Sequence, residues 1–226
     1  MISIAIDGPS GAGKSTLARR LASHYGYLYV DTGAMYRAIG LYALRRGAAT
    51  RDGAAVAALL PAIRLQLAYV EGAQHIFLNG EDVSAAIRTE EVGMAASDVS
   101  AHPAVRAFLL DTQRDLAREH DILMDGRDIG TVVLPGAAVK IFLTASPEVR
   151  ARRRCDELAA KGQPADYATV LADVQQRDYN DSHRAAAPLR QAPDAVLVDT
   201  SALDFEQSFA ALRDLIDARV AAAGKG

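Results

Sequence analysis

Cysteine is nearly absent: the 226 residues contain one, Cys155. That excludes an internal disulfide framework and fits a reducing compartment. Cys155 stands among arginines, and we read it as an incidental surface residue. No apolar run approaches the ~20 residues that span a bilayer, and Met1 leads straight into the apolar run Ile2–Ile6 with no basic leader. A cytoplasmic chain with no membrane partner is the expectation. Lysine is scarce, four residues against 21 arginines, and arginine's planar fork suits bidentate phosphate recognition. Positive charge is not in excess: the net charge of −3 argues against a broad basic surface for nucleic acid. An N-K-x-D guanine signature is also missing.

What is there begins at Gly8-Pro9-Ser10-Gly11-Ala12-Gly13-Lys14-Ser15-Thr16, which fits G-x-x-x-x-G-K-[ST]. Ile2–Ile6 before it reads as a short buried strand. Ser15–Tyr25 after it reads as a helix with Leu17, Ala18, Leu21 and Ala22 on one face. Glycines let the backbone wrap with its N–H groups inward, and the positive end of the helix dipole faces the same hollow. Lys14 adds a cation for the β- and γ-phosphates, and the Ser15 hydroxyl is in position for a phosphate-bound Mg²⁺. The stretch predicts a nucleoside triphosphate site.

Tyr27–Val30 reads as a second strand and Gly33–Arg46 as a helix. Another helical stretch, about Asp52 to Leu60, breaks at Pro61. Arg64–Val70 and Gln74–Leu78 alternate around Glu71-Gly72-Ala73, which predicts a β-hairpin, with Asn79-Gly80 a further tight turn. Helices are expected over Ile87–Val99 and from Pro103 to about His120. Ile122–Asp125, Ala138–Leu143 and Ala195–Val198 complete the strands. Pro147 opens a helix that gives out at Gly162 and Pro164; Tyr167–Asp181 and Phe205–Ala223 are helical. The fold class is therefore three-layer α/β, a five-stranded parallel sheet with an antiparallel β insert and a helical lid. One domain is expected over 1–226, with the antiparallel strands as an insert in it.

Three groups carry further chemistry. Asp125 ends an apolar strand, where an acid serves either Mg²⁺ or the cap of a loop. Arg150, Arg153 and Arg154 can share one face of a short helix; they either meet a transferring phosphoryl group or pair with Glu148, Asp156 and Glu157. Arg37, Arg106, Arg127, Arg177 and Arg184 fall beside strand ends or early in helices, which predicts a second anion pocket. No catalytic base is required if the acceptor is a phosphate monoester, whose second pKa lies near ~6.

The chain resembles the bacterial cytidylate kinases of the nucleoside monophosphate kinase family over nearly its whole length. The resemblance rests on Ile6–Lys14, on Asp31-Thr32-Gly33-Ala34-Met35-Tyr36-Arg37, and on Ile87-Arg88-Thr89 with Ala96-Ser97. It rests also on Asp125-Gly126-Arg127-Asp128-Ile129-Gly130-Thr131-Val132-Val133, Lys140–Leu143 and Arg177-Asp178. It implies ATP as donor and CMP or dCMP as acceptor, with Mg²⁺, in a monomer whose core would be 1–31, 97–146 and 167–226, with a monophosphate-binding insert at 32–96 and a lid at 147–166. Thr32, Arg37 and Arg127 would lie on the acceptor's phosphate side. Ser97, Arg106 and Asp128 would contact the cytosine, Arg177 and Asp181 the ribose, and Arg184 the phosphates. Thr32 stands where some relatives have Ser, and Ser15 where others have Gly. A kinase for uridylate or dephospho-coenzyme A is the alternative, or a nucleotide-dependent switch.

Overall fold

The computed structural model describes residues 1–70 and 73–223. In chain order its elements are β1 (Ser3–Asp7), α1 (Lys14–Tyr25), β2 (Leu28–Asp31), α2 (Thr32–Arg45) and α3 (Gly53–Leu59). Next come β3 (Leu65–Val70), β4 (Ala73–Leu78), β5 (Glu81–Asp82), α4 (Glu90–Ser100), α5 (Pro103–Glu119) and β6 (Ile122–Gly126). The last are β7 (Val139–Thr144), α6 (Pro147–Ala160), α7 (Tyr167–His183), β8 (Val196–Asp199) and α8 (Phe205–Ala223). The chain packs as two compact units, Met1–Tyr29 with the residues from His120 on, and Val30–Glu119. The expected insert at 32–96 falls inside the second.

The sheet that carries the first unit has the order β2-β6-β1-β7-β8. Parallel pairing sets Ser3 against Ile122, Ile4 against Val139 and Ile141 against Val196. With neighbours on both edges and cover on both faces, the middle of β1 must be apolar, which explains Ile4-Ala5-Ile6 between Ser3 and Asp7. Ile4 and Ile6 meet Leu17, Ala18 and Leu21 of α1, and Leu212 and Ile216 of α8 join the same core. A second, smaller core forms where Ala151 of α6 meets Val170 and Val174 of α7. Cys155 is partly buried there, so the surface position read from the sequence is corrected: it lies on the apolar face that α6 turns to α7.

The second unit has its own core, built from Met35, Ala38 and Ile39 of α2, Ile76 and Leu78 of β4, Val92 and Val99 of α4, and Val105 and Leu109 of α5. Helices α2 and α4 approach closely at Gly40, where a Cβ would come within 3.0–3.1 Å of Ala95 and Ala96. Strands β3, β4 and β5 form an antiparallel sheet, with Leu65 against Leu78 and Phe77 against Asp82. Asn79 and Gly80 both take positive φ, 51° and 87°, the left-handed pair a tight β4–β5 turn requires. The hairpin turn expected at Glu71-Gly72 lies outside the described residues.

Helix starts follow their caps. Asp52 accepts from the Ala54 and Ala55 N–H groups and so stands just outside α3. The helix expected from Ile87 begins instead at Glu90. Thr89 caps it by accepting from Val92, and Ala86–Arg88 forms a separate 3₁₀ turn. The sequence reading missed one feature, a π-helical turn over Ile129–Val133.

Candidate active site

The loop between β1 and α1 opens at Gly8, whose φ is 151° and where a Cβ would stand 1.9 Å from the Leu143 carbonyl oxygen. Only glycine lets the loop leave β1 so close to β7. Gly11 and Gly13 also take left-handed φ, 76° and 85°, and Gly13 caps α1 with no side-chain hydrogen bond. The first N–H groups of α1 are thus left to a ligand. Lys14, 5% exposed, donates from Nζ to the Pro9 carbonyl at 2.7 Å. Burial lowers the Lys14 pKa and Arg127 lowers it further, against Asp125, Asp181 and Asp7.

Behind the loop, the Ser15 hydroxyl donates to Asp125 Oδ2 at 2.9 Å and the Tyr29 hydroxyl to Asp125 Oδ1 at 3.0 Å. Arg127 donates from Nε to Asp181 Oδ2 at 2.7 Å. Arg184 and Asp128 form an ion pair at 3.6 Å, each side chain 5% exposed. Asp7, the last residue of β1, accepts from the Ile129 and Gly130 N–H groups at 2.7 Å each. Burial pushes Asp7 up to about 6 against the pull of those two donors. This unit therefore brings together the buried charges of Lys14, Asp125, Asp128, Asp181 and Arg184, the partly buried Arg127 and the Ser15 hydroxyl. Arg177 stands on α7 one turn before Asp181.

The three arginines expected to share a face of α6 are held in three directions. Arg150, buried, donates from Nε to the Ala145 carbonyl at 2.8 Å and from Nη1 to the Ser10 carbonyl at 2.9 Å. It also pairs with both oxygens of Asp178 on α7, at 2.9 and 2.5 Å. Arg153 reaches the Thr200 carbonyl at 2.8 Å and the Leu203 carbonyl at 3.4 Å. Arg154 pairs with Glu157 at 2.8 Å, one of the partners expected for it. Arg152 lies over the Tyr167 ring, 5.6 Å from its centroid.

In the second unit Asp31 accepts from the Ala34 N–H at 3.0 Å and so starts α2, whose first residue, Thr32, is buried. Arg88 reaches Asp31 Oδ2 with two nitrogens at 3.3 Å. Arg37 donates to the Ile87 carbonyl at 3.1 Å, and Arg106 to the Ser100 carbonyl at 3.2 Å. Arg106 also covers the Tyr36 ring at 5.5 Å. Ser97 is on α4, where its carbonyl accepts from the Ser100 hydroxyl at 2.8 Å. Thr32, Arg37 and Arg88 thus gather around the start of α2, and Ser97 and Arg106 around the α4–α5 junction.

Sequence reasoning assigned no role to Asp7, Tyr29, Arg88 or Asp178. Asp7 and Asp178 had a signal, being acids inside the quoted motifs; Tyr29, in an apolar strand, had none.

Residues 4–217 match the family model for Cytidylate kinase. A cytidylate kinase of Caldicellulosiruptor bescii is 50% identical over 206 residues, 91% of either chain. Another, of Mycolicibacterium paratuberculosis, is 51% identical over 217 residues, covering 96% of this chain and 95% of its own. A shikimate kinase structure from Bacteroides thetaiotaomicron aligns over 96% of this chain and 98% of its own, with 13% identity and a TM-score of 0.47. A match this long, spanning both units and every motif of the glycine-rich loop and its surroundings, means that the chain belongs to the cytidylate kinase family.

Proposed function

We propose that this chain transfers the γ-phosphoryl group of ATP to CMP or dCMP, giving ADP and CDP or dCDP. The observation that carries the reading is the set of opposed charges Lys14, Asp125, Asp181, Asp128 and Arg184, all buried, with the partly buried Arg127, behind a phosphate-binding loop. Catalysis is positioning and charge neutralisation. The acceptor's own phosphate oxygen is the nucleophile, already ionised near neutral pH, so no side chain needs to remove a proton. Residues 8–16 hold the donor phosphates, and Lys14 neutralises the transferring group. Ser15 and Asp125 offer a hydroxyl and a carboxylate 2.9 Å apart, hard oxygen donors that suit Mg²⁺. Ser15 and Asp125 would hold Mg²⁺ when it is bound with ATP, and its charge would offset that of the donor phosphates.

Of the α6 arginines, Arg154 is the best candidate to meet the transferring group. Arg150 and Arg153 are held by backbone carbonyls and serve chiefly to fix the loop and α6. For the acceptor, the first unit offers Arg127 and Arg184 to a phosphate, Arg177 and Asp181 to a ribose and Asp128 to a cytosine; the second unit offers Thr32 and Arg37 to a phosphate and Ser97 and Arg106 to a cytosine. Asp128 accepts from N4, while Arg106 and Ser97 donate to O2 and N3. The reading further assigns the chain to the cytoplasm as a monomer; separately, no helix of the described residues is long and apolar enough to cross a membrane.

The test is a panel of acceptors with MgATP: CMP, dCMP, UMP and dephospho-coenzyme A. CMP and dCMP should react with the highest kcat/KM. A preference for UMP or dephospho-coenzyme A would replace this acceptor assignment, and no transfer to any of them would end the kinase reading.

A further inference from the structure

We propose that Asp7 is a positioning residue for base recognition: its carboxylate holds the turn that presents Asp128. The inference rests on Asp128 reading the cytosine.

Ile129 and Gly130 are buried and begin the π-helical turn that runs to Val133. At the start of any helical turn the first N–H groups have no partner within the turn. Here both are taken by one carboxylate from the far end of β1, at 2.7 Å each and 122 and 123 residues away in the chain. Asp7 is 4% exposed, so no water replaces it readily.

The same turn fixes Asp128 from the other side. Its carbonyl accepts from Val132 at 2.9 Å and Val133 at 3.2 Å. Asp128 sits at φ −145° and ψ 26°, outside regular helix and strand, and is locked between two sets of hydrogen bonds. Its side chain faces Arg184 within this lock. Single π-helical turns of this kind recur at functional sites. Space around the anchor is tight: a Cβ on Gly130 would stand 3.3 Å from Asp7 Oδ2 and 3.2 Å from Lys140 Cδ. Because Gly8 follows Asp7 directly, one residue joins the donor loop to the acceptor-reading turn.

Asp7→Asn keeps one oxygen for one N–H but turns an NH₂ group towards the other. The turn should shift, and Asp128 with it. The expected result is a fall of about tenfold or more in kcat/KM for CMP, carried by KM, with KM for ATP within about threefold of the parent. The ratio of CMP to UMP efficiency should shrink at least about fivefold. Gly130→Ala pushes on the same carboxylate from the other end and should shrink the ratio likewise. The double variant should be no worse than the more impaired single one, because both disturb a single contact. Gly130→Ala decides the matter if Asp7→Asn does not fold.

An unchanged ratio with both acceptors slowed equally, or a loss carried by KM for ATP, would make Asp7 a support of the loop alone and overturn the inference. A parent that does not prefer CMP over UMP would instead overturn the base reading on which it rests, so the two failures are separate results.

Discussion

Lys14 enters the site with its charge opposed by burial and by Arg127, and its Nζ donates to the Pro9 carbonyl. A triphosphate offers it far stronger acceptors, so its contribution should appear mainly in the reaction. Lys14→Ala should cut turnover by roughly 10³-fold with the fold intact by circular dichroism. Turnover within about tenfold of the parent would remove Lys14 from the reacting centre. Asp128→Ala should lower CMP efficiency far more than UMP efficiency. A carboxylate facing N4 of cytosine would face O4 of uracil, and an unpaired buried group costs about 1–3 kcal/mol. Steady-state kinetics with both acceptors checks it; equal losses would make Asp128 a partner of Arg184 and nothing more. Asp7 adds a pH signature. Burial raises it from the ordinary 3.8 to about 6, with Asp128 adding to the rise and Lys14 and two N–H donors opposing it. Arg127 is the other charge it feels. Between about pH 4 and pH 6 the folded chain therefore holds a proton that the unfolded chain has released. The stability this gives is full below about pH 4 and lost as pH rises through about 6. Asp7→Asn has no such proton. Parent stability minus variant stability, from urea unfolding, should fall by on the order of 2–3 kcal/mol between pH 4 and pH 7. A flat difference would mean that Asp7 is ionised throughout.

Among the elements, α6 shows where spacing misleads. Positions 150, 153 and 154 are near enough on a helix to suggest one charged face. The long side chains instead take whatever acceptor lies closest, the Ser10 and Thr200 carbonyls and Glu157. Arg153→Ala should therefore loosen α6 from the segment after β8. A loss of about 1–3 kcal/mol in stability is expected, with kcat within about threefold. A fall of roughly 10²-fold in kcat at unchanged melting temperature would return Arg153 to the reacting centre. Elements with local signals were legible. The five parallel strands, the Asn79-Gly80 turn and the helix opened by Pro147 each have their cause within a few residues. The glycine-rich loop was legible for the same reason. The π-helical turn was not, because the acid that closes it is 122 residues away. The start of α4 slipped by three residues because apolar spacing continues through Ile87, while the Thr89 hydroxyl decides where the helix begins. The Arg150–Asp178 pair and the Tyr29 bond to Asp125 join distant segments and left no mark on local pattern.

For the whole molecule, the metal is expected to come and go with ATP. Among the described residues no group of three or more His, Cys, Asp or Glu is arranged to hold an ion. Chelation with EDTA should therefore stop turnover while leaving the melting temperature within about 1 °C, and added Mg²⁺ should restore the rate. A large drop in melting temperature on chelation would reveal a structural metal. The sheet order has a further consequence, for the order in which the chain is made. Strand β1 leaves the ribosome well before both its neighbours, β6 and β7, which are encoded far downstream, since Ser3 pairs with Ile122 and Ile4 with Val139. At about 5–20 residues per second the nascent β1 spends on the order of ten seconds with both edges bare. Its apolar residues stay bare over that interval, while residues 30–119, which carry their own core, can condense before the parallel sheet is complete.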